Sequence, residues 1–264
     1  MNFETLNVGV IGCGQLGLSI AMQFITKGLP QENLHISFSG NPDTAKRIAS
    51  SGLTSCITTN TAIAEVCNLI FLTVKPSNIT NMLKMKVQPE SMLVSCVAGH
   101  EIKTIEALFH HPVVKIMPTS PASIENETAI CGIYPRESKL EAYLNKLGFE
   151  LFFLTQESEF HYFTAMACLP AALLQLSILH IPIDENMLFE EAKNAQFAHF
   201  ETLYRRLQLE VPANLSEAEA NLFIKKMATK GGITECIVDR LKIGSTLIQA
   251  VEHGIARSKE IAAN

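Results

Sequence analysis

A short apolar run near the start of the chain ends in three glycines with G-x-G-x-x-G spacing, and an apolar segment typical of a helix follows at once. The run is Val8-Gly9-Val10-Ile11, and the glycines are Gly12, Gly14 and Gly17. A strand, a tight turn and a helix in this order form a cradle for the pyrophosphate of a dinucleotide. Gly12 permits the turn, Gly14 lets phosphates approach the backbone, and Gly17 lets the helix pack closely on the sheet.

The helix after this turn adds unpaired N–H groups and the positive end of its dipole, so we expect Gln15 and Leu16 to contact the phosphates as well. The end of the next predicted strand, His35–Phe38, selects between NAD and NADP, because an acidic residue there would bind the ribose 2′-hydroxyl. The segment Ser39-Gly40-Asn41 stands at that place, and the basic pair Lys46-Arg47 follows it. No carboxylate would repel a 2′-phosphate, so the sequence favours NADPH and leaves NADH as the alternative.

Composition excludes several classes of protein. A length of 264 residues suggests about two domains. A net charge of −5 without a basic run argues against a nucleic-acid partner. No uncharged apolar stretch is long enough to cross a membrane, and the first strand begins too early to leave room for a signal peptide. We therefore expect a cytoplasmic protein with neither nucleic acid nor membrane as a partner.

The cysteines and the apolar content indicate two further properties. The seven cysteines are scattered, none forms C-x-x-C, and no pair of histidines has zinc spacing. We expect no metal site and cysteines that serve as small core residues in a reducing compartment. Hydrophobic residues make up 47% of the chain, which suggests a buried interface between subunits.

Further apolar runs predict parallel strands that are covered on both faces. They are Asn68–Val74, Met92–Val97, Val113–Met117 and Glu150–Leu154. Strands that alternate with helical segments predict an α/β fold, a doubly wound parallel sheet of the Rossmann type over residues 1–156. The ligand of such a sheet lies beyond the carboxyl ends of the strands.

The pattern becomes helical from about residue 157, which predicts an all-α domain over residues 157–264. We expect a long apolar helix bent at Pro170, and a second helix from Glu185 to Leu207. Ser216 and Glu219 form a capping box that opens a third helix. Two more helices follow the segment 229–234.

In their order and spacing, five motifs resemble the pyrroline-5-carboxylate reductase family, whose NAD(P)H enzymes complete proline biosynthesis. They are Val10–Gly14, Val74-Lys75-Pro76, Ser95–Gly99, Met117–Ala122 and Gly231–Thr234. The resemblance implies an oxidoreductase with a Rossmann domain and a helical domain that interlocks with a second subunit, as a homodimer or a larger homo-oligomer. It places the active site between the nicotinamide and a loop of the helical domain.

The resemblance also assigns residues to the two ligands. Val74, Lys75, Pro76, Ala98 and Gly99 follow strands where the family binds the cofactor, and Asn60 stands where the family contacts the adenosine half. For the substrate, it implies the loop of Gly231, Gly232 and Thr234, and we add Thr119 and Lys230, which stand at substrate positions where this chain differs from the family. The small-molecule partner would be a cyclic imine that carries a carboxylate.

The chain departs from the family at several of these places. Thr119-Ser120 stands for Asn-Thr, and Cys168-Leu169-Pro170-Ala171 retains only the Pro-Ala of a glycine- and serine-containing element. Lys230 replaces a proline, and Ile233 replaces the first of two threonines. A basic residue common after the second strand is Gly40 here. The cofactor-binding motifs of this chain therefore match the family pattern more closely than the substrate-binding motifs do.

Reduction of a C=N bond needs a hydride donor, a protonated or hydrogen-bonded nitrogen and a grip on the carboxylate. Gly231-Gly232 at the start of a helix offers unpaired N–H groups as a carboxylate cradle, and Lys230 could add positive charge. We expect the hydroxyl of Thr234 to contact the ring nitrogen, or a water that delivers the proton, and thus to be the catalytic group.

Simpler interpretations stay open for several of these residues. Gly231-Gly232 would also suit a turn between helices, and Thr234 would suit an N-terminal cap. Lys75 could point to solvent, and Ser39 and Asn60 are common in turns and loops. The pair His110-His111 is expected in an exposed turn.

Three functions remain for the whole chain. The favoured one is NAD(P)H-dependent reduction of a cyclic imine, with 1-pyrroline-5-carboxylate as the first choice of substrate. A β-hydroxyacid dehydrogenase is disfavoured, because the segment Phe160–Ser177 lacks the lysine that those enzymes use. A nucleotide-binding protein with reduced catalysis, or a paralogous reductase of another imine, is the alternative.

Overall fold

The computed structural model describes residues 3–82 and 85–263. The chain divides into two compact units between Glu157 and Ser158. The first unit contains a seven-stranded sheet with helices, and the regular elements of the second unit are helices. The predicted fold class, a Rossmann-type α/β sheet followed by a helical part, is confirmed.

The first unit places its glycine turn where a doubly wound sheet binds ligands. The strands are β1 Val8–Ile11, β2 Leu34–Ser37, β3 Leu69–Leu72, β4 Met92–Ser95, β5 Val113–Pro118, β6 Ile130–Tyr134 and β7 Glu150–Phe153. The helices are α1 Gln15–Thr26, α2 Pro42–Ser50, α3 Asn60–Val66, α4 Ile102–Phe109, α5 Pro121–Glu125 and α6 Ser138–Lys146. The strand order is β2-β1-β3-β4-β5-β6-β7, so the direction of strand addition reverses beside β1. Ligands of open α/β sheets bind at such a reversal.

The sheet has an apolar core on each face. In β3, Leu69 and Phe71 belong to one core, to which α1 and α6 contribute. Ile70 and Leu72 belong to the other core, to which α3 and α4 contribute. Successive side chains of a strand point to opposite faces, so a strand covered on both faces is apolar throughout. This explains the nearly continuous apolar runs in the sequence.

Two strands, β6 and β7, run opposite to the other five. The strands from β2 to β5 pair in parallel, whereas β5 and β6 pair antiparallel, with Ile116 opposite Ile133. The sequence pattern predicted neither β6 nor an antiparallel pair. β6 has Gly132 at its centre, a residue that strands disfavour. Pairing with both β5 and β7 provides the stability that its own composition lacks.

The second unit contains seven helices among its described residues. They are α7 Glu159–Ala167, α8 Leu169–Ile178, α9 Glu185–Asn194, α10 Phe200–Gln208, α11 Glu217–Met227, α12 Ile233–Lys242 and α13 Leu247–Ala263. The prediction of one helix from Glu185 to Leu207 is wrong. Gln196 and His199 adopt left-handed backbone conformations, with φ of 58° and 57°, and separate α9 from α10.

The predicted bend near Pro170 and the predicted capping box are both confirmed. α7 and α8 meet at Cys168 with a bend of 43°, and Pro170 lies in the first turn of α8, where a missing N–H costs little. Ser216 and Glu219 cap α11 reciprocally. No single helix in the described ranges is long and apolar enough to cross a bilayer, although the bent α7–α8 pair meets the criteria of length and composition.

Candidate functional site

The three glycines of the turn have three different surroundings. Gly12 has φ of +93°, and a Cβ added to it would lie 2.6 Å from Val74 Cγ1. A Cβ on Gly17 would lie 2.6 Å from Thr73 Oγ1 and 2.9 Å from the carbonyl oxygen of Gly12. A Cβ on Gly14 would have nothing closer than that same carbonyl oxygen, at 3.8 Å. Gly12 and Gly17 therefore allow the chain to pack, whereas Gly14 leaves an open approach to the backbone.

Hydrogen bonds hold this turn against the ends of two neighbouring strands. The amides of Gly12 and Cys13 both donate to the carbonyl oxygen of Ser37, at 3.1 and 2.7 Å. Thr73 Oγ1 donates to the carbonyl oxygen of Gly12 at 2.9 Å. The turn is thus fixed from β2 on one side and from β3 on the other.

The first turn of α1 has the properties of an anion site. Gly14 is its N-cap and provides no side-chain hydrogen bond to the helix. The amides of Gln15, Leu16 and Gly17 start the helix, next to the open approach at Gly14. Uncapped amides and the helix dipole together favour a phosphate at this place.

The segment after β2 lacks an acidic residue close to the strand. Ser39 and Gly40 are exposed, and Gly40 has φ of +81° with open space around it. The side chain of Asn41 accepts hydrogen bonds from the amides of Asp43 and Thr44, so Asn41 caps α2. Ser39 is the polar side chain of this segment that remains available to a ribose or its 2′-phosphate.

Arg47 lies on α2 with a half-buried side chain. Its Nη2 donates to Thr44 Oγ1 at 3.2 Å, and its buried Nε has no partner among the described residues. Burial raises the pKa of the Cys13 thiol to about 12, and the positive charge of Arg47 opposes that rise. Since Cys13 belongs to the glycine turn, the charge of Arg47 acts close to the proposed phosphate site.

Asn60 is linked to the same turn through Ser37. Its Oδ1 accepts a hydrogen bond from Ser37 Oγ at 2.6 Å, while the cap of α3 is Thr59. Asn60 therefore lies beside the end of β2, where the adenosine half of the cofactor is expected.

The ends of β3 and β4 continue the site. Val74 is half-buried against Gly12, and Lys75 and Pro76 are exposed. Ala98 and Gly99 are half-buried after β4. His100 Nε2 lies 3.1 Å from the carbonyl oxygen of Pro76, which connects the two strand-end loops.

An ion pair between the buried Lys115 and the half-buried Glu157 supports the loop after β4, and sequence reasoning missed it. Lys115 Nζ donates to the carbonyl oxygen of His100 at 2.7 Å and to Glu157 Oε1 at 3.1 Å. The same carboxylate oxygen accepts the amide of Ile102 at 2.8 Å. Lys115 is a charged residue within an otherwise apolar strand sequence. That unusual position in β5 is the signal from which the ion pair could have been predicted.

Thr119 belongs to a network at the start of α5. Its Oγ1 lies 2.9 Å from Ser123 Oγ, and its amide donates to the carbonyl oxygen of Ile130. Ser120 and Ser123 form a capping box. The hydroxyl of Thr119 thus supports the helix start, and any contact with a substrate would have to be made in addition.

The loop before α12 differs from the predicted cradle. Gly231 has φ of +70°, and its amide donates to Glu235 Oε2 at 2.6 Å. The amide of Gly232 donates to the carbonyl oxygen of Thr229 at 2.8 Å. The expectation that these two amides are unpaired is wrong, because the loop uses both internally. The uncapped amides of the first turn of α12 start one residue later, at Ile233.

Thr234 is inside the first turn of α12 and not at its cap, which is Gly232. The Thr234 side chain is buried, and its Oγ1 donates to Cys168 Sγ at 3.2 Å. Lys230 is exposed next to this turn. The cap interpretation of Thr234 is therefore wrong, and its hydroxyl lies at the anion-attracting end of a helix.

The histidine pair at the end of α4 is partly as predicted. His110 is exposed and ends the helix in a left-handed conformation. His111 is buried, with its ring nitrogens 2.9 Å from the carbonyl oxygen of Pro112 and 3.2 Å from that of Gln88. Within the described ranges, no group of three or more potential metal ligands comes together.

Comparison with known proteins supports the nucleotide site. Residues 7–99 match the family described as NADP oxidoreductase, coenzyme F420-dependent. NADP-dependent oxidoreductase domain-containing protein 1 of Mus musculus is 29% identical over 41% of this chain, and the match covers 30% of that protein. The chain thus spans less than a third of the length of this mouse relative.

Two further matches extend over nearly the whole chain. Pyrroline-5-carboxylate reductase 1 of Bacillus subtilis (strain 168) is 24% identical over 98% of this chain and 91% of that protein. The structure of Plasmodium falciparum pyrroline carboxylate reductase with NADP bound has a TM-score of 0.60 and 20% identity, and covers 99% of this chain and 100% of that chain. The resemblance to the pyrroline-5-carboxylate reductase family is confirmed. The chain is therefore similar to pyrroline-5-carboxylate reductases over nearly its whole length, and its residues 7–99 match an NADP oxidoreductase family.

The structure groups the candidate residues in two sets. The first unit brings together the glycine turn, Ser39, Asn60 and the ends of β3 and β4. The second unit brings together the loop 230–234 and Cys168. Sequence reasoning singled out Cys168 as a departure from the family pattern, but it did not predict the contact with Thr234.

Proposed function

We propose that the protein reduces a cyclic imine with NADPH, and that the imine is 1-pyrroline-5-carboxylate, which becomes L-proline. The main support is that the likeness to the Bacillus subtilis reductase extends over 98% of the chain. It therefore includes the helical unit and not only a nucleotide-binding unit, which many oxidoreductases share.

The glycine turn and the start of α1 in the first unit support NADPH as the cofactor. NADPH would supply the hydride. The amides of Gln15, Leu16 and Gly17 would bind the pyrophosphate next to the open backbone of Gly14. Ser39 and Arg47 would contact the 2′-phosphate, since Ser39 is exposed and Arg47 donates to the hydroxyl of Thr44.

Other residues of this unit would bind the remainder of the nucleotide. Asn60 would contact the adenosine half beside Ser37. The loops of Val74-Lys75-Pro76 and Ala98-Gly99, at neighbouring strand ends, would line the path toward the nicotinamide.

The second unit would hold the substrate. The free first-turn amides of α12 and the exposed Lys230 favour a carboxylate. The hydroxyl of Thr234 would then contact the ring nitrogen. Gly231 and Gly232 would shape this loop, with their own amides engaged, and Thr119 remains a proposed substrate contact from the first unit.

Steady-state oxidation of NADPH in the presence of 1-pyrroline-5-carboxylate tests this function. We expect turnover by the unmodified protein and a lower kcat in Thr234→Ala. Thr202→Ala, at an exposed threonine of α10, is the matched control and should retain full activity. Turnover of Thr234→Ala at the unmodified rate would remove Thr234 from the mechanism, and absence of turnover in the unmodified protein would refute the proposed substrate.

One observation favours a second candidate, an NADP-binding protein with reduced catalysis. The carboxylate of Glu235 already accepts the amide of Gly231 and places negative charge in the loop proposed for a carboxylate substrate. This candidate predicts NADPH binding by calorimetry without turnover of any cyclic imine. A Glu235→Gln variant that gains turnover would identify this charge as the cause.

We also propose that the protein is a homodimer that assembles through its helical unit. Large hydrophobic side chains that are exposed in the described structure lie mostly in that unit. They are Ile181, Met187, Leu209, Leu222 and Ile243, compared with Ile57, Val66 and Phe153 in the first unit. Exposed apolar surface of this kind is typical of an interface between subunits.

A further inference from the structure

Two successive hydrogen bonds connect three helices inside the second unit. Thr234 Oγ1, on α12, donates to Cys168 Sγ at 3.2 Å. Cys168 Sγ, at the junction of α7 and α8, donates to the carbonyl oxygen of Thr164 on α7 at 3.4 Å. Thr234 and Cys168 are 8% and 7% exposed, so bulk water competes little with either bond.

The chemistry of the three groups fixes the direction of these bonds. A backbone carbonyl oxygen can only accept, so the thiol must use its single hydrogen on Thr164. The sulfur then accepts, and the Thr234 hydroxyl must use its single hydrogen on the sulfur. Burial raises the pKa of the Cys168 thiol to about 11, so the thiol retains its hydrogen at neutral pH.

We propose that Cys168 is a positioning residue that leaves Thr234 able only to accept a hydrogen bond from the substrate. The inference rests on the proposed reduction of a cyclic imine. A neutral imine nitrogen offers a lone pair, which an acceptor repels, whereas a protonated imine offers an N–H, which an acceptor binds. The site would therefore select the protonated imine.

The protonated form is also the reactive one, and the electron balance is complete without a further acid. A hydride from the reduced nicotinamide forms the new C–H bond at the imine carbon. The π pair of the C=N bond becomes the lone pair of the nitrogen, and the N–H proton stays where it is. The products are the secondary amine and the oxidised nicotinamide. Thr234 then orients the nitrogen and transfers no proton.

Two ring carboxylates of almost the same shape test the acceptor role. L-Proline has a ring N–H donor, and tetrahydro-2-furoate has a ring oxygen that can only accept. In the presence of saturating NADP⁺, we expect the unmodified protein to prefer L-proline. Cys168→Ala frees the Thr234 hydroxyl to rotate and donate, so the preference should fall by about ten-fold, the value of one buried hydrogen bond.

Two control variants separate positioning from packing. Cys168→Ser retains a group that can donate to Thr164 and accept from Thr234, so it should restore the preference for L-proline. Cys236→Ala removes a different thiol, on α12 itself, whose Sγ donates to the carbonyl oxygen of His253. This variant should leave the preference for L-proline unchanged. An equal preference in the unmodified protein and in Cys168→Ala would overturn the proposal.

A second measurement needs no substrate and therefore separates this inference from the proposed function. The S–H stretching band of Cys168, identified by its loss in Cys168→Ser, should shift in Thr234→Val, because the sulfur loses its donor. An unchanged band in Thr234→Val would overturn the inference even if the protein reduces imines. A shifted band in a protein that binds neither ring carboxylate would support the hydrogen-bond direction and refute the proposed substrate.

Discussion

At the scale of the residue, Gly14 and Gly17 predict opposite effects of the same added methyl group. A Cβ on Gly17 would meet the backbone oxygen of Gly12 at 2.9 Å, whereas one on Gly14 meets no atom closer than 3.8 Å. We expect Gly17→Ala to lower the stability by about 1–3 kcal/mol through overpacking. Gly14→Ala should keep its Tm but bind NADPH about ten-fold more weakly, because the methyl group blocks the amides.

Thermal unfolding and fluorescence titration with NADPH distinguish the two effects. A stable Gly17→Ala variant would contradict the close packing of α1 against Gly12 and Thr73. Unchanged NADPH affinity in Gly14→Ala would place the phosphates elsewhere.

Arg47 provides a residue-scale prediction about the cofactor. Its Nε has no hydrogen-bond partner in the described structure, and no carboxylate follows β2 directly. If the guanidinium binds the 2′-phosphate, Arg47→Ala should raise the Kd of NADPH about ten-fold and leave that of NADH unchanged. The neighbouring exposed residue Lys46 is the control, since Lys46→Ala should affect both cofactors little. Equal losses for NADPH and NADH would assign Arg47 a structural role.

At the scale of the element, the capping box of α11 predicts a dependence on pH. Hydrogen bonds from the hydroxyl and the amide of Ser216 lower the pKa of the Glu219 carboxyl below its ordinary value of 4.5. A carboxyl whose pKa is lower in the folded state stabilises the fold above the unfolded pKa, and this stabilisation disappears as the pH falls through the folded value. The difference in Tm between the unmodified protein and Glu219→Gln should therefore be constant near pH 7 and vanish in acid.

Titration of the Glu219 carboxyl by NMR measures the same effect directly. Ser216→Ala removes the hydroxyl donor, so the pKa should move back toward 4.5. A carboxyl that titrates identically in both proteins would show that the box does not form in solution.

Other properties of the elements explain how much could be predicted from the sequence. The parallel strands could be predicted because two apolar cores require apolar residues on both faces. The break between α9 and α10 could not, since Gln196 and His199 adopt left-handed conformations without the glycine that usually signals one. β6 escaped prediction because its stability comes from its two neighbouring strands.

The candidate site, too, could be predicted from the sequence only in part. The roles of Gly12 and Gly17 follow from spacing, because a strand–turn–helix unit has one geometry. The hydrogen bonds of Gly231 and Gly232 depend on Glu235 and Thr229, and local spacing does not show which amides a loop uses for itself. The contact between Thr234 and Cys168 joins residues 66 positions apart, and a single sequence contains no signal for it.

At the scale of the whole molecule, the exposed hydrophobic residues of the helical unit predict its assembly. Met187, Leu209 and Ile243 are 71%, 74% and 73% exposed, more than a single chain needs to leave in water. We expect light scattering after gel filtration to give about twice the chain mass of 29.0 kDa. Leu209→Glu and Ile243→Glu should each shift the protein toward the monomer, because a buried, unpaired carboxylate strongly disfavours an interface.

Val66→Glu is the matched control, because Val66 is 47% exposed but lies on the first unit. This variant should leave the assembly intact. If the substrate loop of α12 needs the partner subunit for its shape, the two monomeric variants should bind NADPH normally and lose imine reduction. Normal reduction by a monomer would show that each chain holds a complete site. A monomeric unmodified protein would refute the proposed dimer altogether.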